Sequence, residues 1–268
     1  MKTNPTIPQN KDDIKSIYND GTYIKDNPGW HSEHSEWKSE QILNLLSNNI
    51  IKPSTVCDVG CGSGEILNQL SLTLRDTEFC GYETSQEAFE LCKLKESKRV
   101  HFESGDILQR NVYYDLLLCI DVFEHVPDYM GFISGLKSKA KYKVFHIPLD
   151  ISVSSILLGS MMNARKKVGH LHYFTPETAI ASLEDCGYSV VDSFYTTKFS
   201  IPNKSHKLKT KIAKLPRKLL YLMSPDLMVK FFSGCSLIVL AEWEIFELEV
   251  HSSKEVCQKG KNKPLKKY

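Results

Sequence analysis

The stretch VCDVGCGSGEIL, residues 56–67, places three glycines within five positions directly after a short apolar run. The apolar run predicts a buried strand, and the residues after the last glycine begin a helical pattern. Glycines between a strand and a helix let the backbone turn sharply and lie close to a ligand. Three kinds of ligand fit such a turn: a dinucleotide, a phosphate, or a cofactor without phosphate.

The spacing of the glycines argues against the first two kinds. Gly60, Gly62 and Gly64 form G-x-G-x-G, whereas a dinucleotide fingerprint requires G-x-G-x-x-G and a P-loop requires Gly-Lys-Ser/Thr. The N–H groups of the following helix favour a carboxylate. Asp58, before the turn, can accept a hydrogen bond from an ammonium. The turn therefore suits an amino acid moiety.

Two further acids follow the next predicted strands. Glu83 ends the strand EFCGYE, roughly 20 residues after the turn, where a carboxylate can accept both hydroxyls of a ribose. Asp106, in SGDIL, follows the strand RVHFES and could bind an exocyclic amine. An amino acid, a ribose and an adenine in a row describe S-adenosylmethionine.

Strand patterns alternate with helical patterns along the rest of the chain, which predicts an α/β fold with a parallel sheet covered on both faces. The predicted strands cover residues 55–59, 78–83, 99–104, 114–121, 142–148, 189–197 and 235–248. The predicted helices cover residues 35–50, 64–74, 85–96, 128–139 and 175–186. Segments 149–172 and 197–233 interrupt this alternation, and we expect them to build walls at the carboxyl ends of the strands.

Four motifs in order, VCDVGCGSGEIL, GYETS, SGDIL and LLCIDVFEHVPD, resemble class I S-adenosylmethionine-dependent methyltransferases. The resemblance covers roughly residues 53–147 and, by strand order, extends to 247. It implies a Rossmann-like, doubly wound, seven-stranded and mostly parallel sheet whose last strand is antiparallel. We expect residues 1–50 to form an N-terminal helical lid, 51–250 the methyltransferase domain and 251–268 a basic tail.

The same resemblance implies a cofactor site at the ends of the first four strands. Its expected residues are Asp58, Gly60, Cys61, Gly62, Gly64, Glu83, Thr84, Asp106, Ile107 and Asp121. Stretches such as GHLHYFTPETA resemble a narrower bacterial group of such enzymes, and this narrower likeness does not identify the methyl acceptor.

Catalysis requires mainly alignment and exclusion of water, because the methyl group on a sulfonium is already activated. His125 follows the fourth strand and is the candidate base or acceptor-positioning group. The resemblance implies that Asp121 lies beside the sulfonium. The alternative is a histidine that only bonds backbone. We expect substrate contacts from Glu124, His146, Asp150, His170, His172 and Tyr173.

A metal site is the second interpretation of the same residues. Asp121, Glu124 and His125 have i, i+3, i+4 spacing, and with His170 or His172 they would suit a divalent ion. Similar sets resemble metal sites in ubiquinone-pathway and RNA-terminal O-methyltransferases. The alternative, which we favour, is that Glu124 caps a turn and that no metal binds.

The composition limits the expected cellular location of the protein and the kinds of partner it can bind. The start of the chain lacks a signal-peptide pattern, and no apolar run approaches the roughly 18 residues of a membrane span, which predicts a cytoplasmic protein. We expect the cysteines to be buried, reduced thiols. The net charge is only +2, but lysines gather after residue 197. This run predicts either a solvated face or an anionic partner.

These features predict a methyltransferase for a small molecule or a glycan precursor, directed to oxygen or nitrogen. The alternatives are an RNA or protein methyltransferase and a catalytically silent cofactor-binding protein. Nucleic acid is not expected as a partner, because no RNA-binding module is recognisable. The apolar stretch 215–234 with flanking cations allows either internal packing or contact with a membrane surface. Before the first strand, Trp30 and Trp37 are expected either in a lid or in a surface helix.

Overall fold

A computed structural model describes residues 34–197 and 208–243, and within them all side chains except those of 208–215. Several expectations lie outside these residues. They include Trp30, the strand beyond residue 243, the basic tail 251–268 and Cys257. The domain limits at residues 50 and 250 therefore remain predictions.

The predicted seven-stranded sheet is confirmed, with strand order β3-β2-β1-β4-β5-β7-β6. The strands are β1 Thr55–Val59, β2 Glu78–Glu83, β3 Val100–Ser104, β4 Tyr114–Ile120, β5 Ala140–Leu149, β6 Ser189–Thr197 and β7 Cys235–Glu242. The first five strands pair in parallel, and β7 runs antiparallel to both β5 and β6.

Helices connect and cover these strands. They are α1 Ser35–Asn48, α2 Glu65–Thr73, α3 Gln86–Lys93, α4 Tyr129–Leu136, α5 Val153–Leu158, α6 Ser160–Val168, α7 Pro176–Asp185, α8 Leu208–Met223 and α9 Pro225–Phe231. Segment 149–172 thus contains α5 and α6, while α8 and α9 occupy the described part of 197–233. No helix of the described ranges is long and apolar enough to cross a membrane.

The central strand β4 shows why the sheet needs helices on both faces. Its successive apolar residues enter different core clusters. Leu117 and Cys119 pack with Phe145 in one cluster, while Leu116 and Leu118 belong to a second cluster. Because strand side chains alternate between faces, a continuous apolar run requires cover on both sides. All four of these β4 residues are fully buried.

Local signals place the helix ends where the sequence predicted them. The side chain of Ser85 accepts from Ala88 N at the start of α3. Thr175 and Thr178 form a capping box before α7. The cysteines within the described residues carry free thiols, as expected, and all are buried except the half-buried Cys80.

Gly64 provides a test of the packing behind the glycine turn. Its φ is +74°, and an added Cβ would lie 2.5 Å from Phe102 Cζ. Gly159 has a similar φ of +63° but open space around its Cβ position. Both alanine substitutions incur left-handed strain of about 1–2 kcal/mol. Gly64→Ala should lower the free energy of unfolding by about 1–3 kcal/mol more than Gly159→Ala does, because the added methyl group overpacks the core.

Urea unfolding of the two variants without ligand measures this difference. Equal losses of stability in Gly64→Ala and Gly159→Ala would contradict the close contact with Phe102.

Candidate active site

A cavity of about 770 Å³ opens at the carboxyl ends of the parallel strands. Its walls come from α1, from the loops after β1 to β5, and from α6 of the first insertion. The lining includes Trp37 and Lys38 of α1, and Ala164 and Val168 of α6. This position is the one expected for a ligand of an open α/β sheet.

The glycine turn at the end of β1 is fixed by the neighbouring strand β2. Gly60 N and Cys61 N donate to Tyr82 O at 2.8 and 3.2 Å. Gly62 N donates to Glu83 Oε2 at 2.8 Å. Gly60 and Gly62 have φ values of +70° and +55°, which side chains rarely adopt. The turn therefore presents backbone, without bulky side chains, to the cavity.

Acidic side chains stand where the sequence predicted them on the next two strands. Glu83 lines the cavity, and its second oxygen accepts from Ser85 N at 2.7 Å. Burial raises the pKa of Glu83, although bonds from backbone N–H groups oppose this shift. Asp106 also lines the cavity and caps a 3-10 turn by accepting from Leu108 N at 2.9 Å. Thr84 and the fully buried Ile107 complete this part of the wall.

Asp58 and Gly64 support the turn from behind and do not belong to the cavity lining. Asp58 is almost completely buried, and its Oδ2 has no hydrogen-bond partner within the described residues. Burial and the nearby Glu83 raise the pKa of Asp58 to about 8. The expected direct contact between Asp58 and a ligand ammonium is therefore not what this geometry offers.

Asp121 connects three elements at the floor of the cavity. It adopts a left-handed φ of +55° directly after β4. Its Oδ2 lies 2.7 Å from Lys38 Nζ, and its Oδ1 lies 2.5 Å from His146 Nδ1. His146 Nε2 in turn lies 2.9 Å from Thr196 Oγ1. Burial opposes ionisation of Asp121, but His146 and Lys38 outweigh it and hold the pKa well below its ordinary value.

A second polar cluster lies on the other side of the same loop. Glu124 is fully buried, and neither of its carboxylate oxygens has a hydrogen-bond partner in the described part of the chain. His125 Nε2 lies 3.7 Å from Glu124 Oε1. The rings of His125 and His170 are 4.9 Å apart, and His170 Nδ1 is bonded to Asp150 Oδ2. Asp121 is not part of this cluster.

The protonation states of this second cluster differ from those around Asp121. Burial, and then the negative charge of Asp121, raises the pKa of Glu124 well above its ordinary value. Burial and the neighbouring His170 lower the pKa of His125 to about 4. His125 is therefore a neutral imidazole at neutral pH, and burial favours the protonated form of Glu124.

The donor atoms of Glu124, His125 and His170 fit a divalent cation. One carboxylate oxygen and two imidazole nitrogens lie within 4.8 Å of one another. This set is one that transition metals accept, and the unbonded oxygens of Glu124 would gain partners. The expected role of Asp121 in such a set is not supported, because its carboxylate is occupied by Lys38 and His146.

The expected substrate residues divide into two groups. Glu124, His146, Asp150 and His170 line the cavity. His172 and Tyr173 do not: His172 Nε2 bonds Val126 O at 3.0 Å, and the Tyr173 hydroxyl donates to His170 O at 3.3 Å. These two side chains stabilise the backbone of the cavity wall without lining the cavity.

Two lining residues that the sequence gave no reason to choose are Lys38 and Thr196. Lys38 is separated from Asp121 by 83 residues along the chain. Trp37, expected either in a lid or in a surface helix, lies on α1 against the cavity, with its ring 6.4 Å from that of His146.

Comparison with known proteins identifies the family and the fold of the chain. The methyltransferase domain family matches residues 30–193. A ubiquinone biosynthesis O-methyltransferase of Nitrosomonas europaea is 32% identical over 113 residues, which cover 37% of this chain and 47% of that protein. One of Idiomarina loihiensis is 24% identical over 146 residues, covering 48% and 59%. The alignments thus span about half the length of these curated relatives.

Solved structures show the same fold. Magnesium protoporphyrin IX methyltransferase from Synechocystis PCC 6803, with bound SAH, is 18% identical with a TM-score of 0.54, covering 87% of this chain and 94% of that one. A methyltransferase from Geobacter sulfurreducens in complex with S-adenosyl-L-homocysteine is 16% identical with a TM-score of 0.51, covering 76% and 91%.

The chain belongs to the methyltransferase domain family, whose match covers more than half of it. It is a class I S-adenosylmethionine-dependent methyltransferase, and S-adenosylmethionine is its cofactor. The expectations for fold class and cofactor are thereby confirmed.

Glu83 tests the ribose end of the cavity. Glu83→Ala should weaken binding of S-adenosylmethionine by about 1–3 kcal/mol, the range for a hydrogen bond to a charged group. Glu103→Ala is the matched control, because this half-exposed glutamate of β3 does not line the cavity. Titration calorimetry gives both affinities. Equal affinities of the two variants would place the ribose elsewhere.

Proposed function

We propose that the chain transfers the methyl group of S-adenosylmethionine to a hydroxyl of a small-molecule acceptor. The observation that carries this proposal is the cluster of His125, His170 and Asp150 at the cavity wall. A hydroxyl must lose a proton as it is methylated, whereas an amine is already a good nucleophile. The curated relatives, named as ubiquinone biosynthesis O-methyltransferases, support an oxygen acceptor.

In this proposal the cofactor lies across the carboxyl ends of β1 to β4. The adenine contacts Asp106 and Ile107, and the ribose hydroxyls contact Glu83. The amino acid part lies on the backbone of Gly60, Cys61 and Gly62, whose left-handed turn leaves room for it. The sulfonium then faces the loop 121–125, between the two polar clusters.

The chemical step is a direct displacement. The acceptor oxygen forms a bond to the methyl carbon, the bond from that carbon to sulfur breaks, and S-adenosylhomocysteine leaves. The hydroxyl proton passes to the neutral imidazole of His125. His170 is oriented by the bond between its Nδ1 and Asp150, and its ring packs edge-on against that of His125.

His125→Ala should reduce turnover by roughly 10²–10⁴-fold, the usual contribution of a general base. Affinity for S-adenosylmethionine should hardly change, because His125 meets the acceptor. His101→Ala, an exposed residue on β3, is the matched control. Steady-state kinetics with an oxygen acceptor measure the loss. Near-normal turnover of His125→Ala would assign this histidine to structure.

The pH profile separates this base from an ordinary histidine. The pKa of His125 lies at about 4 rather than near its usual 6.5, so the imidazole stays neutral as the pH falls through 6.5. Turnover should therefore persist at pH 6 and be lost only as the pH approaches 4. A loss of turnover centred near pH 6.5 in the wild type would contradict the burial of His125 in the working enzyme.

A second candidate mechanism uses a cation held by Glu124, His125 and His170. The unbonded, buried oxygens of Glu124 favour it. Such an ion would act as a Lewis acid on the acceptor oxygen. The first mechanism predicts that dialysis against EDTA leaves turnover largely intact. Turnover abolished by EDTA and restored by magnesium or zinc, with Glu124→Gln inactive under both conditions, would support the cation instead.

Glycan precursors and nitrogen acceptors are the alternatives that the sequence left open. Assays of labelled S-adenosylmethionine against metabolite, glycan and RNA pools separate these acceptors from the RNA alternative. Absence of transfer to any pool, with normal cofactor binding, would favour a silent binding protein. We place the reaction in the cytoplasm, on the basis of the free thiols in the described part of the chain.

A further inference from the structure

The two insertions expose an unusual amount of apolar surface. Most of the large hydrophobic side chains that are exposed in the described residues lie on α5, α6, α8 and α9. We call these side chains the insertion face: Val153, Ile156, Leu157, Leu158, Met162, Leu219, Leu222, Met223, Leu227 and Phe231. Leu157 and Leu158 are 79% and 78% exposed, so they contribute almost nothing to the core.

The helices that carry the insertion face are neighbours. Helix α9 packs against α5. The segment after α9 is tied to α5 by a bond from Ser233 N to Ser154 Oγ of 3.1 Å. Helices α8 and α9 also pack against each other. The exposed apolar side chains of both insertions thus belong to one region, although they are far apart in the sequence.

This region carries a net positive charge, although Lys230 of α9 is paired with the exposed Glu177 of α7. Helix α6 ends with Arg165, Lys166 and Lys167. Segments 151–171 and 208–223 contain no aspartate or glutamate. The single acid of α9, Asp226, accepts a bond from the Tyr195 hydroxyl. An apolar face bordered by cations is the combination that binds the interface of an anionic bilayer.

Helix α6 connects the insertion face to the active site. Ala164 and Val168 of α6 line the cavity, whereas Met162, Lys166 and Lys167 of that helix face outward. A surface bound through the insertion face would therefore lie next to one wall of the cavity.

We propose that the insertion face docks on the surface of an anionic phospholipid bilayer. A second copy of the chain fits the face less well, because a symmetric contact would bring the cations of two α6 helices together. The proposal goes beyond the reaction itself, since it holds for any acceptor and for either mechanism at the cavity.

Flotation with lipid vesicles tests the docking. The full chain is mixed with vesicles of phosphatidylcholine alone or of phosphatidylcholine with phosphatidylserine. The wild type should float with the anionic vesicles, and less with the neutral ones or at high salt. Replacing both leucines, Leu157→Ser with Leu158→Ser, should lower the partition coefficient at least about ten-fold, since two apolar anchors are lost.

Two further variants make the test specific. Lys166→Glu with Lys167→Glu should abolish the preference for anionic vesicles. Leu94→Ser is the matched control, because Leu94 is 84% exposed and lies outside both insertions. This variant should float like the wild type. Turnover of a water-soluble acceptor without vesicles should be unchanged in all variants, so failure of docking and failure of the proposed reaction are distinguishable.

Three results would overturn the proposal. The first is a wild type that stays in the soluble fraction with both kinds of vesicle. The second is an equal loss of flotation in the Leu94→Ser control. The third is sedimentation of the wild type as a dimer that the Leu157 and Leu158 substitutions dissociate, which would assign the insertion face to a second copy of the chain.

Discussion

The carboxylate of Asp121 is the interaction on which the shape of the site depends. It accepts from Lys38 of α1 and contacts His146 of β5, while Asp121 N donates to His146 O. His146 in turn contacts Thr196 at the end of β6, which extends this network of side chains to a further strand. One ionised side chain thus ties α1 to the ends of β4, β5 and β6 around the cavity. The left-handed backbone at Asp121 is tolerated because these partners hold it.

The loop 121–125 drives the pKa values of two carboxyl groups in opposite directions. Asp121 stays ionised because two cationic or donor groups face it. Glu124, only three residues later, is fully buried, its oxygens accept no hydrogen bond from the described residues, and its pKa rises. Pairs of titratable groups whose pKa values are driven apart commonly mark the place where protons move. The sulfonium of the bound cofactor is expected at this loop.

Most residues that the sequence predicted for the cofactor line the cavity, whereas fewer of the expected acceptor residues do. The glycine turn, Glu83 and Asp106 are local signals, because each stands at the end of a strand whose pattern is readable. Lys38 and Thr196 reach Asp121 and His146 only through tertiary packing, which no spacing reveals. His172 and Tyr173 share a segment with His170, but the bonds of their side chains to backbone oxygens hold them outside the cavity.

The most direct test of the account is a crystal structure of the protein with S-adenosylhomocysteine. The account predicts the amino acid part on the turn Gly60–Gly62, the ribose hydroxyls on Glu83 and the adenine beside Asp106. The sulfur should face the loop that carries Glu124 and His125. A ligand that leaves Glu83 uncontacted, or that directs its sulfur away from this loop, would contradict the proposed arrangement of cofactor and acceptor.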